Sequence, residues 1–150
     1  MAEDPSGKYP DIATELSARR TGMSFQRTRM SADRTLMSVI RTSLSLISFG
    51  FTIFQFFEKF KEAKVLTSAH APRNFGTTLV AVGILLLVLG IVYHIRFMLG
   101  LREQRKRMVA DGLIHGESEF PPSLTLVTAV ILLAIGLVAI TSMVFQVGPF

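Results

Sequence analysis

Four Arg-Thr pairs recur at intervals of seven residues, and serines keep the same interval. The pairs are Arg20-Thr21, Arg27-Thr28, Arg34-Thr35 and Arg41-Thr42. Guanidinium groups offer planar forks of hydrogen-bond donors and hydroxyls add neutral donors, so these residue types suit phosphate or another oxyanion. Seven residues make almost two helical turns, so the groups would lie on one side of a helix. The pattern predicts an oxyanion-binding stripe.

The stripe leads from a polar segment into the first long apolar stretch, and it carries Arg41 with it. Ionisable groups inside membrane segments usually mark functional sites. If several copies turned this face inward, they would form rings of arginine above a hydroxyl-lined channel, and such rings favour anions. The candidate anion-binding or pore-lining residues are Arg27, Arg34, Arg41, Ser38, Thr42, Ser45, Ser48 and Thr52.

A structural interpretation of the same stripe stays open. Small hydroxyl residues are ordinary packing groups between membrane helices. Arg27 and Arg34 would meet anionic lipid headgroups. Arg41, roughly 9 Å inside the span, would extend its guanidinium back to the membrane surface. The sequence alone does not decide between an anion path and a helix contact that binds lipid.

Three apolar segments follow the polar N-terminal part. Of the 150 residues, 49% are hydrophobic and 18% are charged, and the mean hydropathy is +0.45. About 20 apolar residues suffice to cross the hydrocarbon core, and the second and third segments lack the polar face of helices in a soluble bundle. We therefore predict an all-α protein with three transmembrane helices, at about residues 36–57, 77–99 and 124–147.

The seven-residue interval begins well before the first span, so we expect one long helix that extends into the cytoplasm. Residues 1–9 have a disordered composition, Pro10 and Asp11 indicate a helix start, and Gly22 would be the weakest point. The predicted organisation is a cytoplasmic N-terminal segment over 1–24 (partly disordered, then helical), a membrane domain over 25–103, and a cytoplasmic link with the third helix over 104–150.

Lysine and arginine are distributed unevenly around the spans. Six precede the first span and five lie in the link between the second and third spans with its flank, against four between the first and second. Cytoplasmic segments carry such an excess. The sequence thus predicts a cytoplasmic N-terminus and a C-terminus outside. A net charge of +5 can indicate nucleic acid binding, but these basic residues cluster beside the apolar spans, as topology signals do. We therefore expect no nucleic acid partner.

Other side chains give little basis for catalysis or metal binding. His70, His94 and His115 have no second ligand at helical spacing, and the chain has no cysteine. Glu117 and Glu119 lie in a short link, where acids are usually solvated. No phosphate-cradling loop, GxSxG or HExxH motif occurs. We expect no metal, no cofactor and no enzymatic activity.

A few residues concern packing. Asp33 would form a solvated pair with Arg29 or reach an adjacent helix. Gly83 and Gly90, seven residues apart, and Gly136 would allow helices to approach closely.

The stretch from Ser31 to Phe51 resembles the signature of the YidH-like family (domain of unknown function 202). Members carry an acidic residue with Arg-Thr, then an aliphatic or aromatic patch, then a second Arg-Thr and a Phe-Gly pair. The corresponding residues are Asp33, Arg34, Thr35, Arg41, Thr42, Ser43, Leu44, Phe49 and Gly50. The resemblance covers residues 25–103, with Asp33 in place of the usual Glu and Val39 where Trp is common.

The resemblance implies a small bacterial inner-membrane protein of unassigned activity. The same domain is distantly similar to the three-helix membrane subunit of the vacuolar transporter chaperone complex, which passes polyphosphate through a membrane pore. By that analogy, Arg34 and Arg41 would face a pore and bind a polyanion. An analogy at the level of the fold does not establish function.

The polar stripe would be unburied in a monomer, and polar faces in bilayers turn inward, so we expect a homo-oligomer in the lipid bilayer. Two hypotheses follow. The first is a path for phosphate, polyphosphate or another anion. The second is a non-conducting scaffold or accessory subunit that binds anionic lipid or a partner membrane protein. A membrane-embedded enzyme ranks last.

Overall fold

The computed structural model describes residues 8–62, 70–111 and 123–145. Three α-helices account for nearly all of them: α1 is Lys8–Glu62, α2 is His70–Ala110 and α3 is Leu124–Phe145. No strand occurs in these ranges, and all three helices are long and apolar enough to cross a membrane. The predicted all-α fold with three membrane-spanning helices is therefore confirmed.

Helix α1 is continuous over 55 residues, which confirms that the polar approach and the first span form one long helix. Gly22 lies within the helix and does not end it. Lys8 and Tyr9, which we expected to be disordered, are helical. Pro10 is tolerated because the first turn of a helix needs no N–H donor from it. The disorder predicted for residues 1–7 lies outside the described residues.

Contacts divide the chain into two units. One comprises Met1–Ala32 and Ile95–Pro121, and the other comprises Asp33–His94 and Pro122–Phe150. In the first unit, Phe25 of α1 and Leu101 of α2 are buried together, with Met108 packed against them.

The second unit is a bundle of three helices with up-down-up topology. Contacts between α1 and α2 run in opposite order along the two helices, since Gly50 lies against Gly76 and Val39 lies against Gly90. Helix α3 runs against α2 and beside α1. Two buried clusters fill the centre: Leu36, Ile40, Leu87, Ile91 and Ala129 in one, and Phe54, Val80, Ile84 and Met143 in the other.

Helix α2 presents glycines to α1 at seven-residue intervals. A methyl group added at Gly76 would lie 2.7 Å from the carbonyl oxygen of Gly50, and one added at Gly83 would lie 3.0 Å from that of Ser43. The two backbones therefore touch with no side chain between them, as small residues allow. The close approach expected at Gly83 and Gly90 is confirmed, and Gly76 extends it.

We expect Gly50→Ala to lower the free energy of unfolding by about 1–3 kcal/mol, the usual cost of overpacking. The new methyl would lie 2.7 Å from a backbone oxygen, so relief requires the helices to separate. Gly22→Ala is the matched control, because nothing lies within 4 Å of its added methyl and alanine favours helix by about 1 kcal/mol. Thermal unfolding in detergent measures both. Equal effects would contradict the backbone contact.

Candidate functional site

The structure places all eight candidate residues on the exposed face of α1. They are Arg27, Arg34, Ser38, Arg41, Thr42, Ser45, Ser48 and Thr52. The opposite face of the helix carries the buried side chains Leu36, Ile40 and Phe54. One face thus holds all eight candidates, and the described residues leave these eight side chains exposed.

Within the span, the polar residues form a strip between two apolar edges. At about 100° per residue, Arg41, Ser45, Ser48 and Thr52 fall within a sector roughly 60° wide. Met37 and Leu44 border it on one side. Phe49 and Phe56 border it on the other, and all four bordering side chains are exposed. We call Arg41, Ser45, Ser48 and Thr52 the polar strip. The strip is narrower than the exposed face.

Arg41 on this face differs from Arg19 and Arg107, each of which forms an ion pair with a glutamate. Arg19 pairs with Glu15 at 2.9 Å, and Arg107 pairs with Glu103 at 3.3 Å, each one helical turn away. Arg41, by contrast, has no ion pair or hydrogen bond from its side chain to any described residue. Its charge is therefore not neutralised within this part of the chain, and it lies among apolar neighbours in a membrane segment.

The hydroxyls of the face divide into two groups. Those of Thr42, Ser45 and Thr52 donate to backbone carbonyls one turn earlier, at 3.1, 2.9 and 2.8 Å. A hydroxyl has a single hydrogen, so in this arrangement these three present acceptor lone pairs outward. The hydroxyls of Ser38 and Ser48 have no partner among the described residues. These two are the neutral donors that the face has available.

Ser43 lies on the other side of α1, although it belongs to the same run of small hydroxyl residues. Its side chain is 1% exposed, and its hydroxyl oxygen has no hydrogen-bond partner in the described part of the chain. Its backbone carbonyl is the one that Gly83 approaches. Ser43 is therefore a packing residue at the contact between α1 and α2 and is not part of the exposed face.

A second polar cluster, which sequence reasoning did not assemble, joins all three helices. Oδ1 of Asp33 (α1) lies 3.5 Å from Nε2 of His94 (α2), whose side chain is 3% exposed. The hydroxyl of Ser123 lies 3.4 Å from the same nitrogen and accepts the amide N–H of Leu126 at 3.2 Å, which caps α3. The sequence left two alternatives for Asp33, a pair with Arg29 or a contact with an adjacent helix. The structure shows the contact with an adjacent helix.

The sequence contained one signal for His94. It stands seven residues after Leu87 and fourteen after Val80, and all three are buried. A histidine in register with a buried line faces the bundle interior. The described residues hold no group of three or more His, Asp or Glu side chains that could bind a metal ion.

Comparison with known proteins identifies the family. Residues 17–100, more than half of the chain, match the model of a domain of unknown function (DUF202). The chain therefore belongs to this family, as the resemblance of Ser31 to Phe51 indicated. No curated protein and no solved structure matched the chain significantly. The similarity to the subunit of the vacuolar transporter chaperone complex stays a prediction.

We expect Ser43→Ala to raise the free energy of unfolding by about 1 kcal/mol, because it removes a buried hydroxyl that lacks a partner. Ser45→Ala is the matched control, since Ser45 is exposed and its hydroxyl is bonded. Thermal unfolding of the two variants in detergent makes the comparison. A clear loss of stability in Ser43→Ala would mean that its hydroxyl has a partner in the folded protein.

Proposed function

We propose that this DUF202 protein forms a homo-oligomer in the membrane and that the exposed face of α1 binds and conducts an anion. Phosphate or polyphosphate is the ligand class we expect. One observation carries the proposal: Arg41, without a partner among the described residues, lies in a polar strip on a helix that is otherwise apolar at that level.

Contact between the polar strip and lipid hydrocarbon is energetically unfavourable. Arg41 lies roughly 9 Å inside the span, short of the centre, where an arginine costs about 2.5–3.5 kcal/mol on insertion scales. Arginines within membrane helices usually face a bundle interior or a wet cavity. Contacts between copies through the apolar side chains on both sides of the strip would remove the strip from lipid. One neighbouring copy would cover Met37 and Leu44, and another would cover Phe49 and Phe56. Contacts of this head-to-tail kind form a ring where the rotation between copies closes, and such a ring would hold the strip toward its axis.

The charge of such a ring favours anions. Each copy would contribute one unneutralised guanidinium at the level of Arg41, and arginine rings select anions in pores. Arg34 and Arg27, both exposed, would raise the anion concentration at the mouth. The free hydroxyls of Ser38 and Ser48 would add neutral donors.

We also propose the location and orientation that the sequence favours, namely a bacterial inner membrane with the N-terminus in the cytoplasm. The distribution of lysine and arginine supports this orientation, with eleven on the N-terminal side of the membrane and four on the other side. The arginine-rich mouth would then open to the cytoplasm, where phosphate and its polymers are available.

A non-conducting scaffold is the second candidate. Ile12, Leu16 and Met23 are exposed on α1 before the predicted first span, in a region where water would otherwise meet them. Exposed apolar side chains in a row are typical of protein contacts. A partner membrane protein docked there, or anionic lipid at Arg27 and Arg34, would use the same residues without transport.

Catalysis is not part of the proposal. Asp33, His94 and Ser123 are the residue types of a hydrolytic triad, but Asp33 and Ser123 both approach the same ring nitrogen. In a triad the acid and the nucleophile bond opposite nitrogens of the imidazole. The cluster therefore lacks the arrangement that activates a serine.

We expect Arg41→Ala to reduce phosphate or polyphosphate flux into proteoliposomes about tenfold or more, the effect of losing a charged hydrogen-bond donor. Arg41→Lys should retain part of the flux, because it keeps the charge and loses the planar fork. Arg107→Ala is the matched control, since Arg107 is exposed and pairs with Glu103.

The assembly state must be measured on the same samples, by native mass spectrometry or light scattering. A wild-type oligomer that conducts no anion under any imposed gradient would exclude the anion path and favour the scaffold. The scaffold would be supported by two results together. The wild-type protein would show no anion flux, and Arg41→Ala would change assembly or the recovery of a partner protein.

Because the chain has no cysteine, single cysteines test where water reaches α1. We expect Ser48→Cys to react with a water-soluble anionic methanethiosulfonate in proteoliposomes, and to react faster with it than with a cationic reagent. Ser43→Cys should not react, because Ser43 is 1% exposed. Reaction at neither position would argue against an aqueous path, while equal reaction at both would contradict the rotation of α1 described above.

A further inference from the structure

Large apolar side chains form a row on the part of α1 that precedes the predicted first span. Leu16, Met23 and Met30 follow one another at seven-residue intervals, and the described residues leave each of them more than half exposed. Helix α1 has 55 residues and is therefore about 82 Å long, whereas the hydrocarbon core measures about 30 Å. Arg20 and Arg27 flank Met23 in the sequence, so this end of α1 is the part that extends beyond the core. We call these three apolar side chains the apolar row.

A second line on the same part of α1 consists of small side chains. Thr21 and Thr28 lie about 140° around the helix from the apolar row, and both are partly exposed. Their hydroxyls donate to the backbone carbonyls of Ser17 and Ser24, each at 3.0 Å. A hydroxyl has one hydrogen, so neither threonine retains a donor that needs water. Thr21 and Thr28, which we call the threonine line, can therefore form a dry contact.

The apolar row and the threonine line continue the two edges of the polar strip toward the N-terminus. The apolar row lies at whole seven-residue intervals before Met37 and Leu44, and the threonine line lies at such intervals before Phe49 and Phe56. Inside the membrane both edges carry large side chains. Beyond the membrane one edge is large and the other is small, so the two edges differ in shape.

We propose that the apolar row of each copy packs against the threonine line of the next copy, so that the contact between copies extends along α1 beyond the membrane. The bilayer holds every copy at the same height and in the same direction. Two helices stay in contact over several turns when both carry a seven-residue interval, and large side chains fill the space beside small ones. The proposal rests on the homo-oligomer of the proposed function and does not require that the oligomer conducts anions.

Contact between unlike edges uses both lines of α1. Two copies that joined row to row would leave both threonine lines uncovered, whereas head-to-tail contact covers every row and every line of a closed ring. Arg20 and Arg27 are exposed and lie about 40° from the apolar row, on the side toward the threonine line. Head-to-tail contact therefore turns them toward the axis, where they form a basic entrance that attracts oxyanions.

The test is disulfide formation between copies of the full chain in the membranes of the expressing cells, because the chain has no cysteine. Met23→Cys and Thr21→Cys are combined in one chain. Residues two apart on a helix point about 200° apart, so these two cysteines do not join within a copy. We expect oxidation to give products larger than a dimer, because each copy joins two neighbours. Each single variant should stay monomeric.

Leu44→Cys combined with Thr42→Cys is the matched pair inside the membrane, since both positions lie three seven-residue intervals further along α1. Products larger than a dimer from this pair alone would overturn the extended contact and leave the proposed oligomer intact. No product from either pair would overturn both.

Two other results would assign the apolar row to a different occupant. Dimers of the single variant Met23→Cys would show that the row packs against itself, which overturns the head-to-tail contact. A product that joins Met23→Cys to another protein would overturn contact with a second copy. If both pairs gave products larger than a dimer and the wild-type protein conducted no anion, the extended contact would stand and the anion path would not.

Discussion

The backbone contact between α1 and α2 fixes how α1 is rotated, and the chemistry of the protein depends on that rotation. Where Gly50 meets Gly76, and where Gly83 meets Ser43, no side chain separates the helices. Helices that pack with a seven-residue repeat supercoil so that the contact line stays on one side. The outer face of α1 must repeat with the same period. Arg34 and Arg41 share the seven-residue interval of the glycine line, and this common interval keeps both on the outer face.

The sequence predicted those features that depend on local pattern. Three apolar segments and an unbroken seven-residue interval were sufficient for three spanning helices and a long α1. They were also sufficient to place the arginines and hydroxyls on one face. Rotation was not readable from composition alone. Ser43 and Ser45 are the same residue type two positions apart, yet the first is buried and the second exposed. Only the register with Gly83 separates their roles.

Besides the rotation of α1, the contacts between side chains of different helices could not be predicted from the sequence. Asp33 and His94 are 61 positions apart, and their meeting depends on the antiparallel alignment that the glycines set. Hydrogen-bond direction was equally hidden. The hydroxyls of Thr42, Ser45 and Thr52 were expected to offer donors, but they donate to their own helix. The positive character of the face therefore rests on the guanidinium groups, with Ser38 and Ser48 as the available neutral donors.

The adjacent pair Asp33 and Arg34 shows how the interior and the exposed face are linked. Consecutive residues on a helix point about 100° apart, so an acid held toward His94 forces the next side chain toward the outer face. Arg34 is exposed accordingly. Were α1 rotated by one residue, about 100°, Arg34 and Arg41 would leave the outer face together. The acidic residue before the Arg-Thr pair thus acts as a rotational anchor, and the charge of the outer face follows from a contact in the interior.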